Sequence, residues 1–118
     1  KLTTENTSTV YIGFGTVIRG HLEVPGEVIV NGTFEGTLKS SQLTIEENGY
    51  VSGHISADKI IAYGRIDQEL ISTMFIHIHA TGAVTGSVSY YDIEIEKGGK
   101  LEGVLMRINQ IQENLIEV

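Results

Sequence analysis

The chain is built on a short glycine-bounded unit that returns six times. Gly-x-apolar-x-Gly occurs at residues 32–36, 49–53, 82–86 and 99–103. Residues 64–68 match except for Gln68 in the closing place, and residues 16–20 match except for Thr16 in the opening place. The closing residues Gly20, Gly36, Gly53, Gln68, Gly86 and Gly103 are separated by 16, 17, 15, 18 and 17 positions. A repeat this short that fills nearly the whole chain restricts it to stacked units, because one unit alone cannot bury its apolar face.

Four apolar columns run through the units. The first holds Val10, Val28, Leu43, Ile60, Ile76 and Ile93, and the second, two residues later, holds Ile12, Val30, Ile45, Ala62, Ile78 and Ile95. The third is Ile18, Phe34, Val51, Ile66, Val84 and Leu101. Four residues further on come Leu22, Leu38, Ile55, Leu70, Val88 and Leu105. The spacing within a unit is two rather than 3.6, the period of strands. Some 17 residues are too few for a βαβ crossover, which needs about 30. They suit one coil of a three-sided parallel β-helix. Six coils at about 4.8 Å each predict an all-β solenoid roughly 29 Å long, with residues 1–9 and 107–118 as short flanking tails.

The corners are read from the gap between the second and third columns. It is four residues at Val30 and Ala62, predicting tight corners at Asn31-Gly32 and Tyr63-Gly64, and six elsewhere, predicting wider turns at 46–49, 79–82 and 96–99. Asn-Gly favours a turn that requires positive φ. The closing glycines Gly20, Gly36, Gly53, Gly86 and Gly103 are assigned to a second corner, where a Cβ would strike the stacked coil. Gln68 breaks that column without a sequence-level explanation.

Composition narrows the function. Fifteen acidic against eight basic residues give a net charge of −7, and the bases are scattered, so no phosphate-binding face and no direct nucleic-acid partner is expected. The absence of Cys removes disulfides, thiolate metal sites and thiol nucleophiles. Apolar runs of three or four residues provide neither a membrane span nor a signal peptide. Fourteen glycines among 118 residues exceed the usual 7% or so, and with a single Pro they indicate repeated turns.

Units such as Thr16-Val-Ile-Arg-Gly-His-Leu-Glu-Val24, Gly49-Tyr-Val-Ser-Gly-His-Ile-Ser-Ala57 and Gly82-Ala-Val-Thr-Gly-Ser-Val-Ser-Tyr90 resemble the bactofilins, polymer-forming bacterial cytoskeletal proteins. The likeness covers residues 10–106. It implies a right-handed β-helix that assembles end to end into filaments without nucleotide. It further implies scaffolding of cell shape, stalks or polar complexes, with cell-wall enzymes or membrane proteins as partners, in the cytoplasm at the inner face of the membrane. The family's apolar N-terminal anchor, where one exists, would lie upstream of Lys1. Gln68 departs from the pattern, as does Tyr90, where earlier coils carry Val24, Ser40, Ala57 or Ser72.

End-to-end assembly also follows from the physics of a solenoid, whose terminal coils expose unpaired backbone groups. The end surfaces are assigned to Val10, Ile12, Phe14, Ile18 and Leu22 on the N-terminal side. On the C-terminal side they are Leu101, Leu105, Ile108, Ile111 and Leu115. Ile108, Ile111, Leu115 and Val118 recur every three or four residues, which suits a helical cap, a partner-binding stripe or, alternatively, a further strand. The acidic excess opposes lateral aggregation. Joints between like ends, as the resemblance implies, and head-to-tail joints remain open.

No catalytic residue and no cofactor is expected. Gly13-Phe-Gly15 lacks the third glycine of a dinucleotide fingerprint, and neither a phosphate-binding loop nor a Gly-x-Ser-x-Gly elbow occurs. His21 and His54 are two coils apart, about 10 Å, too far to share an ion. His77 and His79 point outward roughly 7 Å apart along one strand, beside Glu94 and Glu96 of the next coil. Two His and two carboxylates have the chemistry of a zinc site, but opposite-charge pairing on a flat exposed patch accounts for them, so no metal is assigned. Hexapeptide acyltransferases and trimeric carbonic anhydrases, the rival enzyme class, need a strict period of six, which is absent. A monomeric or surface β-helix serving as a binding module is the other alternative.

Overall fold

The computed structural model describes residues 8–108. They form eight strands and no helix: β1 (Thr9–Ile12), β2 (Val17–Val30), β3 (Thr33–Ile45), β4 (Tyr50–Ala62), β5 (Arg65–Ile78), β6 (Ala83–Tyr90), β7 (Ile93–Ile95) and β8 (Lys100–Arg107). Every pairing is parallel, in the order β1-β2-β3-β4-β5-β6-β8, with β7 on β5. A parallel order that follows the chain, with only short turns between strands, is a solenoid of about six coils.

The columns read from the sequence are the rungs of this ladder. Val28 pairs with Leu43 and Val30 with Ile45, Phe34 with Val51, Leu70 with Val88, and Ile78 with Ile95. The closing column also stacks in register: Gly20 on Gly36, Gly36 on Gly53, Gly53 on Gln68, Gln68 on Gly86 and Gly86 on Gly103. Each long strand comprises three runs. In β3 these are 33–36, 37–40 and 42–45, with a bend at Gly36 and at the unpaired Ser41. Uneven coil lengths are absorbed partly at this last corner, where register shifts between Val24 and Glu27 and between Ala57 and Lys59, and more at the turns that are narrow or wide between the second and third columns.

The remaining corners behave as their spacing predicts. Two residues suffice at Asn31-Gly32 and Tyr63-Gly64, whereas the wider turns close by hydrogen bonds from Gly49 N to Glu46 O (2.7 Å), Gly82 N to His79 O (2.9 Å) and Gly99 N to Glu96 O (2.9 Å). Turns stack as strands do, with Tyr50 N donating to Gly32 O and Lys100 N to Gly82 O.

A Cβ on Gly36, Gly53, Gly86 or Gly103 would overlap the carbonyl oxygen of the residue stacked beneath it, so the corner demands glycine on steric grounds as well as by its positive φ. Gln68 keeps the corner's handedness at φ 89°, against 119–136° for the glycines around it. The break in the column is therefore in side chain, not in backbone path. Gln68 retains the turn at the cost of a conformation that L residues disfavour.

Of the 24 column positions, 17 are fully buried. A fifth, narrower row was not counted with the core: Val24, Ser40, Ala57 and Ser72 are also buried. It takes small residues because it faces the bulged corner. There the Ser72 hydroxyl donates to Phe75 O at 2.9 Å and the Ser40 hydroxyl to Gln42 O at 3.2 Å. Tyr90 occupies the same place near the last coil, half-buried against the core, where less space is enclosed. The ladder starts earlier than the expected tail boundary, since Glu27 N donates to Ser8 O at 2.9 Å.

Candidate assembly ends and the surface between them

At the N-terminal end, β1 covers only the last run of β2. Among the described residues nothing is stacked beneath 17–24, and a Cβ on Gly20 meets no atom, unlike the later stacked members of that glycine column. One edge of this run therefore keeps unpaired N–H and C=O groups, the usual template for a further strand. Phe14 stands 76% exposed at the preceding turn, with Tyr11, Val17 and Ile18 also exposed, and Val10 and Leu22 half-buried against the core. Ile12, expected on this surface, is instead in the core at 1% exposure. Tyr11 and Val17 were missed because both fall on outward positions of their strands.

At the C-terminal end, among the described residues, β8 pairs only with β6, and β7 only with β5. Leu101 is half-buried, while Leu105, Ile95, Val104 (68%) and Met106 (64%) are exposed. Ile108 is half-buried, and its N–H donates to Tyr90 O at 2.5 Å, prolonging the strand geometry past β8. Ile111 and Leu115 lie outside the described residues. Val104 and Met106 carried a legible signal: they stack on Ser87 and Ser89, so apolar residues replace polar ones on an outward row.

The sides between these ends are polar and internally paired. Arg19 meets Glu35 at 2.7 Å, and His54 Nδ1 meets Glu69 at 2.5 Å. Asp67 accepts from Tyr50 Oη (2.8 Å), Thr85 Oγ1 (2.5 Å) and Arg65 Nε (3.1 Å), tying three successive coils together. Burial pushes the Asp67 carboxyl up, but these three donors together outweigh it and hold it below the usual carboxylate value. The same bond to Asp67, with burial, raises the Tyr50 hydroxyl.

One cluster differs from its sequence-based description. The chain turns directly after Ile78, so the His79 ring folds onto His77 with centroids 4.2 Å apart, rather than standing about 7 Å away. Its ring also stacks against Tyr63, at 4.1 Å. Both imidazoles are half-buried, not flat on an exposed patch. Glu94 is the in-register partner of His77, as expected, but the Glu96 carboxylate reaches both rings, at 2.9 Å from His79 Nδ1 and 3.5 Å from His77 Nε2.

The described residues thus form a β-solenoid with paired polar flanks and exposed apolar side chains beside unpaired strand edges at its two ends. Comparison with protein-family models matches residues 10–106 to bactofilin, polymer-forming cytoskeletal. The chain belongs to the bactofilin family. The match takes in all eight strands but for a residue at either extremity. Bactofilins are structural and non-enzymatic, which sets aside the acyltransferase and carbonic anhydrase alternative, and their polymer-forming character implies self-association. No curated protein and no solved structure matches the chain. Among the described residues no helix is long and apolar enough to cross a membrane.

Proposed function

We propose that the protomer joins end to end through its first and last coils, forming nucleotide-independent filaments that scaffold cell-shape or polar complexes at the cytoplasmic face of the membrane. The supporting observation is the contrast along the rod: unpaired strand edges with exposed Phe14, Ile18, Leu105, Val104 and Met106 at the ends, against ion pairs along the sides. Stacking a second copy satisfies the open backbone edge and buries these side chains at about 25 cal/mol per Å² of apolar surface. Lateral contact leaves the open backbone edges unsatisfied and brings together chains of charge −7. Cell-wall enzymes or membrane proteins would be recruited by the filament.

The resemblance to bactofilins implies joints between like ends, which would give a filament without polarity. Negative-stain electron microscopy and sedimentation without nucleotide test both statements on the wild type, Phe14→Arg and Leu105→Asp. The wild type should form filaments, and each variant should stop at dimers held by its intact end while keeping β-type circular dichroism. Monomers from either variant would indicate head-to-tail joints. Filaments of undiminished length from both would remove the ends from the assembly altogether.

A further inference from the structure

We propose that His77, His79 and Glu96 form a binding site for one zinc-class divalent cation, which clamps the last coil to the coil beneath it. This goes beyond the assembly reading and does not depend on it. His77 Nε2, His79 Nδ1 and a Glu96 carboxylate oxygen all lie within 4.8 Å of one another. A tetrahedral cation with bonds of about 2.0–2.1 Å needs its donors roughly 3.3 Å apart. Two of the separations, 2.9 and 3.5 Å, are already close to that value, and the third closes when the His77 ring turns out of its stack on His79, so that one ion lies in the plane of both rings.

The set has the composition of known zinc centres, two neutral imidazole nitrogens and a carboxylate, with water in the fourth place. Two of three donors are nitrogen, which disfavours calcium and magnesium. His77 Nε2 supplies a second observation. It is shielded from solvent and has no hydrogen-bond partner, because Glu96 lies near enough to pair with it by charge but not in hydrogen-bonding geometry. A shielded ring nitrogen without a partner is uncommon, and a cation between the three donors would satisfy it. The stacking of Tyr63 holds the His79 ring plane, so His77 is the ring that must turn when a cation arrives.

The consequence follows from position. His77 and His79 belong to β5 and the turn after it, whereas Glu96 follows β7, a three-residue strand that, among the described residues, is paired on one side only. A cation between them would cross-link this weakest rung to the body of the rod. No other His pair on the described surface does this, since His21 and His54 each meet a single carboxylate.

The test is titration of the full chain with zinc chloride, read by calorimetry, by metal content after dialysis and by hydrogen exchange at residues 93–95. One zinc per protomer is expected, with at least tenfold slower exchange at the Ile93–Ile95 amides. Glu96→Gln should weaken binding more than tenfold, and the double variant His77→Gln, His79→Gln should abolish it. The double variant His21→Gln, His54→Gln should bind as the wild type does. Glu96→Gln is nearly isosteric and exposed, so it reports on the site even where the double histidine variant fails to fold. No uptake by the wild type, uptake unchanged by Glu96→Gln, or uptake lost with His21 and His54 would each overturn the assignment. Filament formation is not among the readouts, so failure of the assembly reading leaves this result intact.

Discussion

Replacing Gln68 with glycine should stabilise the fold, although it removes a side chain and adds backbone freedom. Gln68 is the sole non-glycine residue with positive φ among those described, and it stands in a column otherwise filled by glycine. Holding an L residue there costs about 1–2 kcal/mol. Glycine returns part of the gain, because it widens the unfolded ensemble by about 0.4–1 kcal/mol. The Gln68 side chain is exposed, so little packing is lost. The net expectation is a gain of about 0.5–1 kcal/mol, or about 2–5 °C in melting temperature for a domain of this size. Gln68→Ala is the control, since it shortens the side chain but keeps the Cβ and therefore the strain. It should stay within about 0.5 kcal/mol of the wild type. Urea unfolding followed by circular dichroism, at a concentration where no polymer sediments, keeps assembly from adding to apparent stability. A loss of stability in Gln68→Gly, or an equal gain in Gln68→Ala, would show that the side chain rather than the backbone governs this corner.

Other perturbations probe the core and the polar flank. Phe34 is fully buried in the second coil, and Phe34→Ala should cost about 3–5 kcal/mol in the same unfolding assay, with soluble protein yield falling in parallel. Asp67 is held below its ordinary value in the folded state, so its contribution is present above the unfolded carboxyl's value near pH 3.9 and is lost as pH falls through the lower folded value. Asp67→Asn should therefore lower stability at neutral pH and flatten its decline on acidification, as read by unfolding at a series of pH values from neutral down to about 2.

The sequence revealed the interior more fully than the surface, and for a physical reason. Each inward row repeats one requirement at every coil, so Val28, Leu43, Ile60 and Ile76 report the same environment and can be aligned by eye. The closing glycines are similarly over-determined, because each must clear the carbonyl of the last. Ile12 shows where this reasoning fails. It heads its row and so looks terminal, yet it is enclosed, because position in a row fixes which way a residue faces, not what covers it. The histidine pair was misread for a related cause. A spacing of two gives about 7 Å only while the strand continues, and the chain leaves the strand at Ile78.

The incompletely buried members of the four columns are Val10, Ile18, Leu22, Ile93, Ile95, Leu101 and Leu105, all in the first or last coil. Adding coils to a solenoid lengthens its core but leaves this terminal area unchanged, because every new coil covers one face and presents another. No choice of coil number removes it. It can be closed by a cap of different structure or by another copy, and the copy offers an open strand edge and an apolar face of the same size. The two ends are not equally firm. At the first coil the open run belongs to β2, a 14-residue strand anchored above by β3. At the last, one face rests on the three-residue β7. In the proposed assembly a joint at the C-terminal end would rest on this short rung, and any interaction that pins β7 to β5 would firm it before the partner arrives.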